Sequence, residues 1–373
     1  MTTADPDWLL YRGTGEPHDG IDALPPPPPW RDFDGGPPLG DVPPLGTESL
    51  RRLGTRGTYG ARGPGGLAWR PQELELINAA LYLRRPLLVT GDPGSGKSTL
   101  AHAVAHELGL GRVLRWPIVS RTTLRDGLYT YDAIARLQDM QLARRAGPLG
   151  EPGESGEPGE PGEPSGTAEP QAGDIGRYLR LGPLGTALLP YERPRVLLVD
   201  ELDKSDIDLP NDLLNALEEG EFAVPELERV SGTREMVEVL TDDGRRAPLV
   251  EGRVRCRAFP FVVMTSNGER DFPPPLLRRC LHLDLPSPRN DPHGADRLGT
   301  MVRAHFGDED PERNDALIRH FLQSSPGSLR AADQLLNAIY LTQHAGLDSA
   351  VDRDRLAELL MRPLDQTEPG PHG

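Results

Sequence analysis

Short apolar runs and segments of helical spacing alternate along most of this chain. Pro86–Thr90, Val113–Ile118, Val196–Val199, Phe261–Thr265 and Leu281–Leu285 read as strands. Their hydrophobicity is nearly continuous rather than alternating, which predicts a sheet covered on both faces, as in parallel α/β proteins. Helical spacing lies between them at Gln72–Leu83, Lys97–Leu108, Leu209–Glu219 and Pro274–Cys280. After Pro286 the strand pattern stops. Arg297–Phe306, Pro311–Leu322, Leu329–His344 and Asp352–Met361 repeat at helical spacing, predicting a small all-α unit. The expected fold class is therefore α/β: a core over residues 66–289 and a helical domain over 290–365.

Between the third and fourth strands, Phe222–Leu227 and Val237–Val254 suggest an inserted hairpin region, with Asp243-Gly244 as a turn. Pro225 should confine the first of these runs to a sheet edge. Residues 1–65 hold 12 prolines and little periodic apolar pattern, so they are expected to be mostly extended or disordered. The segment 147–172 has six glutamates, six prolines, no basic residue and repeated Gly-Glu-Pro triplets. It reads as a solvated acidic insert, too short for a collagen helix. The tail 366–373 is expected to resemble it.

Composition narrows the function classes. Of 373 residues, 42 are Gly and 40 Pro, and the net charge is −16. Such a charge argues against a nucleic-acid coat or a polybasic membrane anchor. No apolar run is long enough to span a bilayer, and Met1–Tyr11 lacks the basic start of a secretory leader. Two cysteines, Cys256 and Cys280, make no disulfide framework and read as free buried thiols in a reducing, cytoplasmic setting.

The chemistry concentrates at two places. Gly91-Asp92-Pro93-Gly94-Ser95-Gly96-Lys97-Ser98, followed by Thr99, matches the phosphate-binding loop G-x-x-x-x-G-K-[ST]. Glycines let the backbone turn its N–H groups onto phosphates, and the following helix adds its positive end. Lys97 would reach the β- and γ-phosphates of ATP, and the Ser98 hydroxyl would ligate Mg²⁺. The chain has only two lysines, Lys97 and Lys204, so chance rarely yields this pattern. The second place is Val196-Leu197-Leu198-Val199-Asp200-Glu201, an apolar strand ending in two acids. There Asp200 would organise Mg²⁺ and Glu201 would polarise the attacking water.

The order of GDPGSGKST, VLLVDELDK, FVVMTSN and LLRRCLHLDLP resembles an AAA+ ATPase, and within that family the MoxR group, over roughly residues 67–344 without the acidic insert. The resemblance implies a P-loop α/β/α core with a helical lid, and further roles. Asn267 matches the sensor-1 residue beside the attacking water. Arg279, with Arg278 as the fallback, matches the finger that reaches a neighbouring subunit's γ-phosphate. Arg330 matches the sensor-2 arginine of the lid. Implied partners are further copies of the chain in a ring, most simply a hexamer, and a remodelled protein, often of von Willebrand A type.

Thr122–Tyr131 occupies a stretch that often faces the pore of such rings. Tyr129 and Tyr131 either grip a polypeptide there or pack against the core. His102 and His106 share a helix face but lack a third ligand, so they read as structural. Two other functions stay open from residues alone: a nucleotide-gated assembly switch with little turnover, and a DNA-remodelling protein with salt-sensitive binding.

Overall fold

The computed structural model describes residues 8–40, 42–54, 69–145, 175–307, 309–323, 332–344 and 350–361. Among these residues, five parallel strands form the central sheet. Their spatial order is Leu281–Leu285, Leu87–Gly91, Phe261–Ser266, Val196–Asp200 and Leu114–Pro117. Register sets Val89 opposite Thr265 and Pro117 opposite Asp200, so the carboxyl ends of these strands lie along one edge. Every residue of Val196–Asp200 and of Phe261–Ser266 is buried. Side chains alternate between two apolar cores. Leu87, Val89, Leu198 and Val263 join one; Leu88, Leu197, Val199 and Met264 join the other. That is how continuous hydrophobicity serves a two-faced sheet.

Helix Lys97–Glu107 packs Leu100, Ala101 and Val104 against the first face. Helix Leu209–Glu219 sends Leu213, Leu214 and Leu217 to the second. Gly220 ends the latter in a left-handed turn (φ 64°), where an added Cβ would lie 2.3 Å from the Phe33 ring. Helices Gly294–Phe306, Pro311–Leu322, Ala332–His344 and Ala350–Leu360 build a separate core around Val302, Ile318, Phe321, Leu335 and Ile339. Both layers follow the predicted α/β core and helical unit.

A second sheet, of six strands among the described residues, carries the inserted region. Met236–Leu240 and Arg246–Val250 pair antiparallel across the turn at Gly244 (φ 85°), as expected for the hairpin. Glu221–Ala223 ends the sheet, and Pro225 opens a short helix, Pro225–Glu228, instead of extending the strand. Tyr129–Tyr131 pairs antiparallel with Leu179–Leu181, and helix Ala133–Arg145 follows the first of these strands. The insert and the tail 366–373 lie outside the described residues.

The expectation for residues 1–65 needs correction. Over residues 8–40 and 42–54 the chain is laid against the core, with Leu9, Leu10, Tyr11, Ile21 and Leu53 buried. The anchors are polar as well as apolar. Asn78 Oδ1 accepts the N–H groups of Leu10 and Tyr11 at 2.7 and 2.9 Å, and its Nδ2 donates to the Tyr11 carbonyl at 2.8 Å. The Glu107 carboxylate, fully buried, accepts from the N–H groups of Arg12, Gly13 and Gly15 at 2.6, 3.0 and 2.9 Å. Helix Thr47–Leu53 then lies on helix Lys97–Glu107, with Ser49 Oγ 2.8 Å from His102 Nδ1. Prolines limit regular structure over residues 8–40 to two 3-10 turns, Asp19–Ala23 and Pro29–Arg31, but do not prevent burial.

Candidate nucleotide site

The glycine-rich loop joins strand Leu87–Gly91 to helix Lys97–Glu107. Gly91, Gly94 and Gly96 take φ of 145°, 79° and 92°, conformations that side chains resist. At Gly91 a Cβ would also meet the Leu285 carbonyl oxygen at 2.2 Å. Lys97 folds back over the loop, its Nζ donating to the carbonyls of Gly91 and Asp92 at 2.6 and 2.8 Å. Burial lowers its pKa, with Asp203, Asp92, Asp200 and Glu201 pulling the other way.

Strand Val196–Asp200 delivers Asp200 beside Ser98. Ser98 Oγ donates to Asp200 Oδ1 at 2.7 Å, and Thr265 Oγ1 donates to the same oxygen at 2.9 Å. Arg115, on strand Leu114–Pro117, takes Oδ2 through Nη2 at 2.8 Å and Nε at 3.2 Å. Burial pushes the Asp200 pKa up, but hydrogen bonds from Ser98, Arg115 and Thr265 outweigh it and hold the carboxyl below its ordinary value. An ionised carboxylate beside a hydroxyl is a hard-oxygen donor set that fits Mg²⁺.

Glu201 follows in the left-handed region (φ 63°), unusual for a side-chain-bearing residue, and its N–H donates to Thr265 Oγ1 at 2.8 Å. Its carboxylate accepts from Lys204 Nζ at 2.8 Å. Asp203, buried, accepts through Oδ2 from the N–H groups of Asn267 and Glu269 at 2.9 and 3.2 Å. That bond fixes the chain just past strand Phe261–Ser266 and leaves Asn267 half-buried beside the acidic strand end.

Arg279 closes helix Pro274–Arg279, where its Nε meets Glu218 Oε1 at 2.6 Å. The carbonyls of Arg278 and Arg279 both accept from Arg85. Arg330 lies outside the described residues. Tyr129 is a packing residue: it is buried, stacks on Phe222 and donates through its hydroxyl to Glu226 Oε2 at 2.9 Å. Tyr131 accepts from Arg136 Nη1 and leans on the same core. Cys256 and Cys280 are free and buried, and burial pushes both thiols up to about 12.

Several participants had no signal in the sequence. A cleft between the loop and the first lid helix is lined by Gly94, Ser95 and Thr99 on one side and by Trp69, Pro286 and Met301 on the other. Arg297 bridges core and lid beside it, reaching Glu73 at 2.5 Å and Asp291 at 3.1 Å. Arg52, from the N-terminal arm, also faces this cleft. Trp69, Arg52 and Arg115 belong to no spaced motif. Thr265 alone is visible in the sequence, as the end of the run leading to Asn267.

A glycine-rich loop at the end of one parallel strand, with an acidic strand end two positions away in the sheet, defines a P-loop α/β protein. Residues 86–280, just over half the chain, match the AAA domain of the dynein-related subfamily, and the chain belongs to that family. No curated protein matches it. Two solved structures of NtrX from Brucella abortus, in complex with ADP and with ATP, are each 14% identical. They align over 87% and 81% of this chain with TM-scores of 0.41 and 0.36. The chain spans 60% and 56% of their lengths. Among the described residues, no helix is long and apolar enough to cross a membrane.

Proposed function

We propose that the chain binds ATP with Mg²⁺ and hydrolyses it as a ring-forming, MoxR-type remodeller of a protein partner in the cytoplasm. The observation that carries this is the meeting of Lys97, Ser98 and Asp200 at the strand ends, within a family of AAA domains. Lys97 and the loop N–H groups would hold the β- and γ-phosphates. Ser98 and Asp200 would hold Mg²⁺, which supplies charge neutralisation between the phosphates. Trp69, Pro286 and Met301, which line the cleft beside the loop, offer apolar surface for the base.

Glu201 is the group for polarising water, once its carboxylate leaves Lys204. Thr265 ties the Glu201 backbone to Asp200, so both acids move as one unit. Asn267 is the sensor beside that water, and Arg330 the lid arginine. Arg279 would act on a neighbour's nucleotide after leaving Glu218, which is why activity should need assembly into a ring of about six. A von Willebrand A-type protein is the partner class suggested by the resemblance.

The test uses two variants of the full chain and a fluorescent ATP analogue. Lys97→Ala should weaken binding at least about tenfold, since it removes charge-assisted contacts to phosphate. Glu201→Gln should retain binding and lose about 10²–10⁴ in turnover. Unchanged affinity in Lys97→Ala would reject the site; undiminished turnover in Glu201→Gln would reject its base. Sedimentation with and without ATP tests the ring, and a monomer in both conditions would reject the finger assignment for Arg279.

A further inference from the structure

Asp200 does not stand alone with the loop. Its Oδ1 is shared by Ser98 and Thr265, whereas Oδ2 is taken by the guanidinium of Arg115. The same guanidinium has its Nη1 3.7 Å from Glu48 Oε1, on the N-terminal helix Thr47–Leu53. Glu48 Oε1 in turn accepts from Arg52 Nε at 3.3 Å. Arg52 faces the cleft beside Gly94, Ser95 and Gly96. Four alternating charges thus run from the phosphate loop to the metal-side carboxylate: Arg52, Glu48, Arg115 and Asp200.

We infer that Glu48 is a positioning residue for Asp200, acting through Arg115, and that it makes phosphate and Mg²⁺ binding cooperative. The inference rests on the nucleotide reading above and deepens it. A guanidinium on Oδ2 neutralises the charge that a divalent cation needs from the same carboxylate. Arg115 has five donors in a rigid fork and can trade Asp200 for Glu48 by a small side-chain rotation. What limits that trade is Arg52, which competes for the same Glu48 oxygen. An anionic phosphate arriving at the loop attracts Arg52, and Glu48 is then left to Arg115. Asp200 loses its cation as Mg²⁺ arrives with the nucleotide.

The side chains of Glu48, Arg115 and Arg52 are 46%, 36% and 30% exposed, so Glu48→Gln and Arg115→Gln should fold. Binding of a slowly hydrolysed fluorescent ATP analogue by the full chain is titrated at a series of Mg²⁺ concentrations. Glu48→Gln should raise the Mg²⁺ midpoint roughly two- to fivefold, the range that partly exposed ion pairs allow. Arg115→Gln should lower it, and adding Glu48→Gln to Arg115→Gln should change nothing further. Affinity for the analogue without Mg²⁺ should hold or rise in Glu48→Gln, because Arg52 loses its competitor for the phosphate. The inference is overturned if Glu48→Gln leaves the midpoint at the wild-type value, or if its shift persists without Arg115. Weaker binding of the Mg²⁺-free analogue would overturn it too, because Glu48 would then act on the phosphate cleft itself. Lys97→Ala in the same assay separates the two ideas: if it binds normally, the nucleotide reading fails; if it fails to bind while Glu48→Gln matches wild type, only this inference does.

Discussion

One face of the central sheet and the N-terminal arm share an apolar core, around Leu87, Val89 and Leu198, but are buried by opposite means. Strand Val196–Asp200 is held by neighbours on both sides and loses every side chain to the interior. Outside helix Thr47–Leu53 the arm has little regular structure and is held at a few points: Leu9, Leu10, Tyr11 and Ile21 by burial, its backbone by Asn78 and Glu107, and Ser49 by His102. Distributed anchoring makes the sheet fail only as a whole. Point anchoring makes the arm separable, because each fixed N–H can return to water if the arm lifts.

The largest effect should come from the sheet. Leu198→Ala removes a side chain with no exposed surface and should lower global stability by about 2–5 kcal/mol, without singling out any segment. Chemical unfolding should show a lower midpoint with unchanged cooperativity. Glu107→Ala, a change of similar burial, should break the comparison differently. It strands three N–H groups, costing at least about 3 kcal/mol if the arm stays and less if it lifts. Hydrogen exchange should therefore speed up at residues 10–21 while amides of Val196–Asp200 keep their protection. Equal loss in both regions would mean that the arm is part of the same cooperative unit as the sheet.

The next effect is a pH dependence seated at the junction. Burial, then the positive charges of Arg52 and Arg115 set against Glu48 and Asp200, lowers the His102 pKa from 6.5 to about 4. The unfolded chain therefore takes up this proton first on acidification. Stability from His102 is complete above about pH 6.5 and drains away as pH falls toward 4, amounting to about 2 kcal/mol between pH 7 and pH 5. Urea unfolding at the two pH values should show this difference, and His102→Gln should remove it. Ser49 shares the His102 ring, so arm amides should lose protection at pH 5 before sheet amides do.

These contrasts also explain what could be read along the chain. Continuous apolar runs announce the inner strands, whose burial is nearly unbroken, while the edge strands Leu114–Pro117 and Leu281–Leu285 alternate; every central strand was legible to within two positions. The loop at Gly91–Ser98 and the pair Asp200-Glu201 were legible because phosphate and metal chemistry demands fixed residues at fixed spacing. The arm was not legible, since an isolated Tyr11 or Leu53 among prolines carries no period. Arg115 was hidden for another reason: it is one polar residue in an apolar strand, and only the neighbouring strand supplies the Asp200 that gives it meaning. Glu48 lies further still, more than 150 residues from the carboxylate it is argued to influence.

The smallest effect tests a residue whose two roles the sequence could not separate. Tyr129 as a grip on a threaded polypeptide would present its ring and hydroxyl to solvent, and removing the hydroxyl would weaken substrate handling without touching the fold. As a packing residue it stacks on Phe222 with the rings 10° from parallel and donates to Glu226, which also meets Arg125 at 3.0 Å. Tyr129→Phe keeps the stack and deletes one hydrogen bond to a charged acceptor. Stability should fall by about 1 kcal/mol, because Glu226 retains Arg125 and a partly wet carboxylate recovers solvent easily. Binding of the ATP analogue should be unchanged, since the hydroxyl faces Glu226 and not the phosphate loop. A variant as stable as wild type would mean that the Glu226 bond contributes nothing to the fold, and the hydroxyl would then be free for another task.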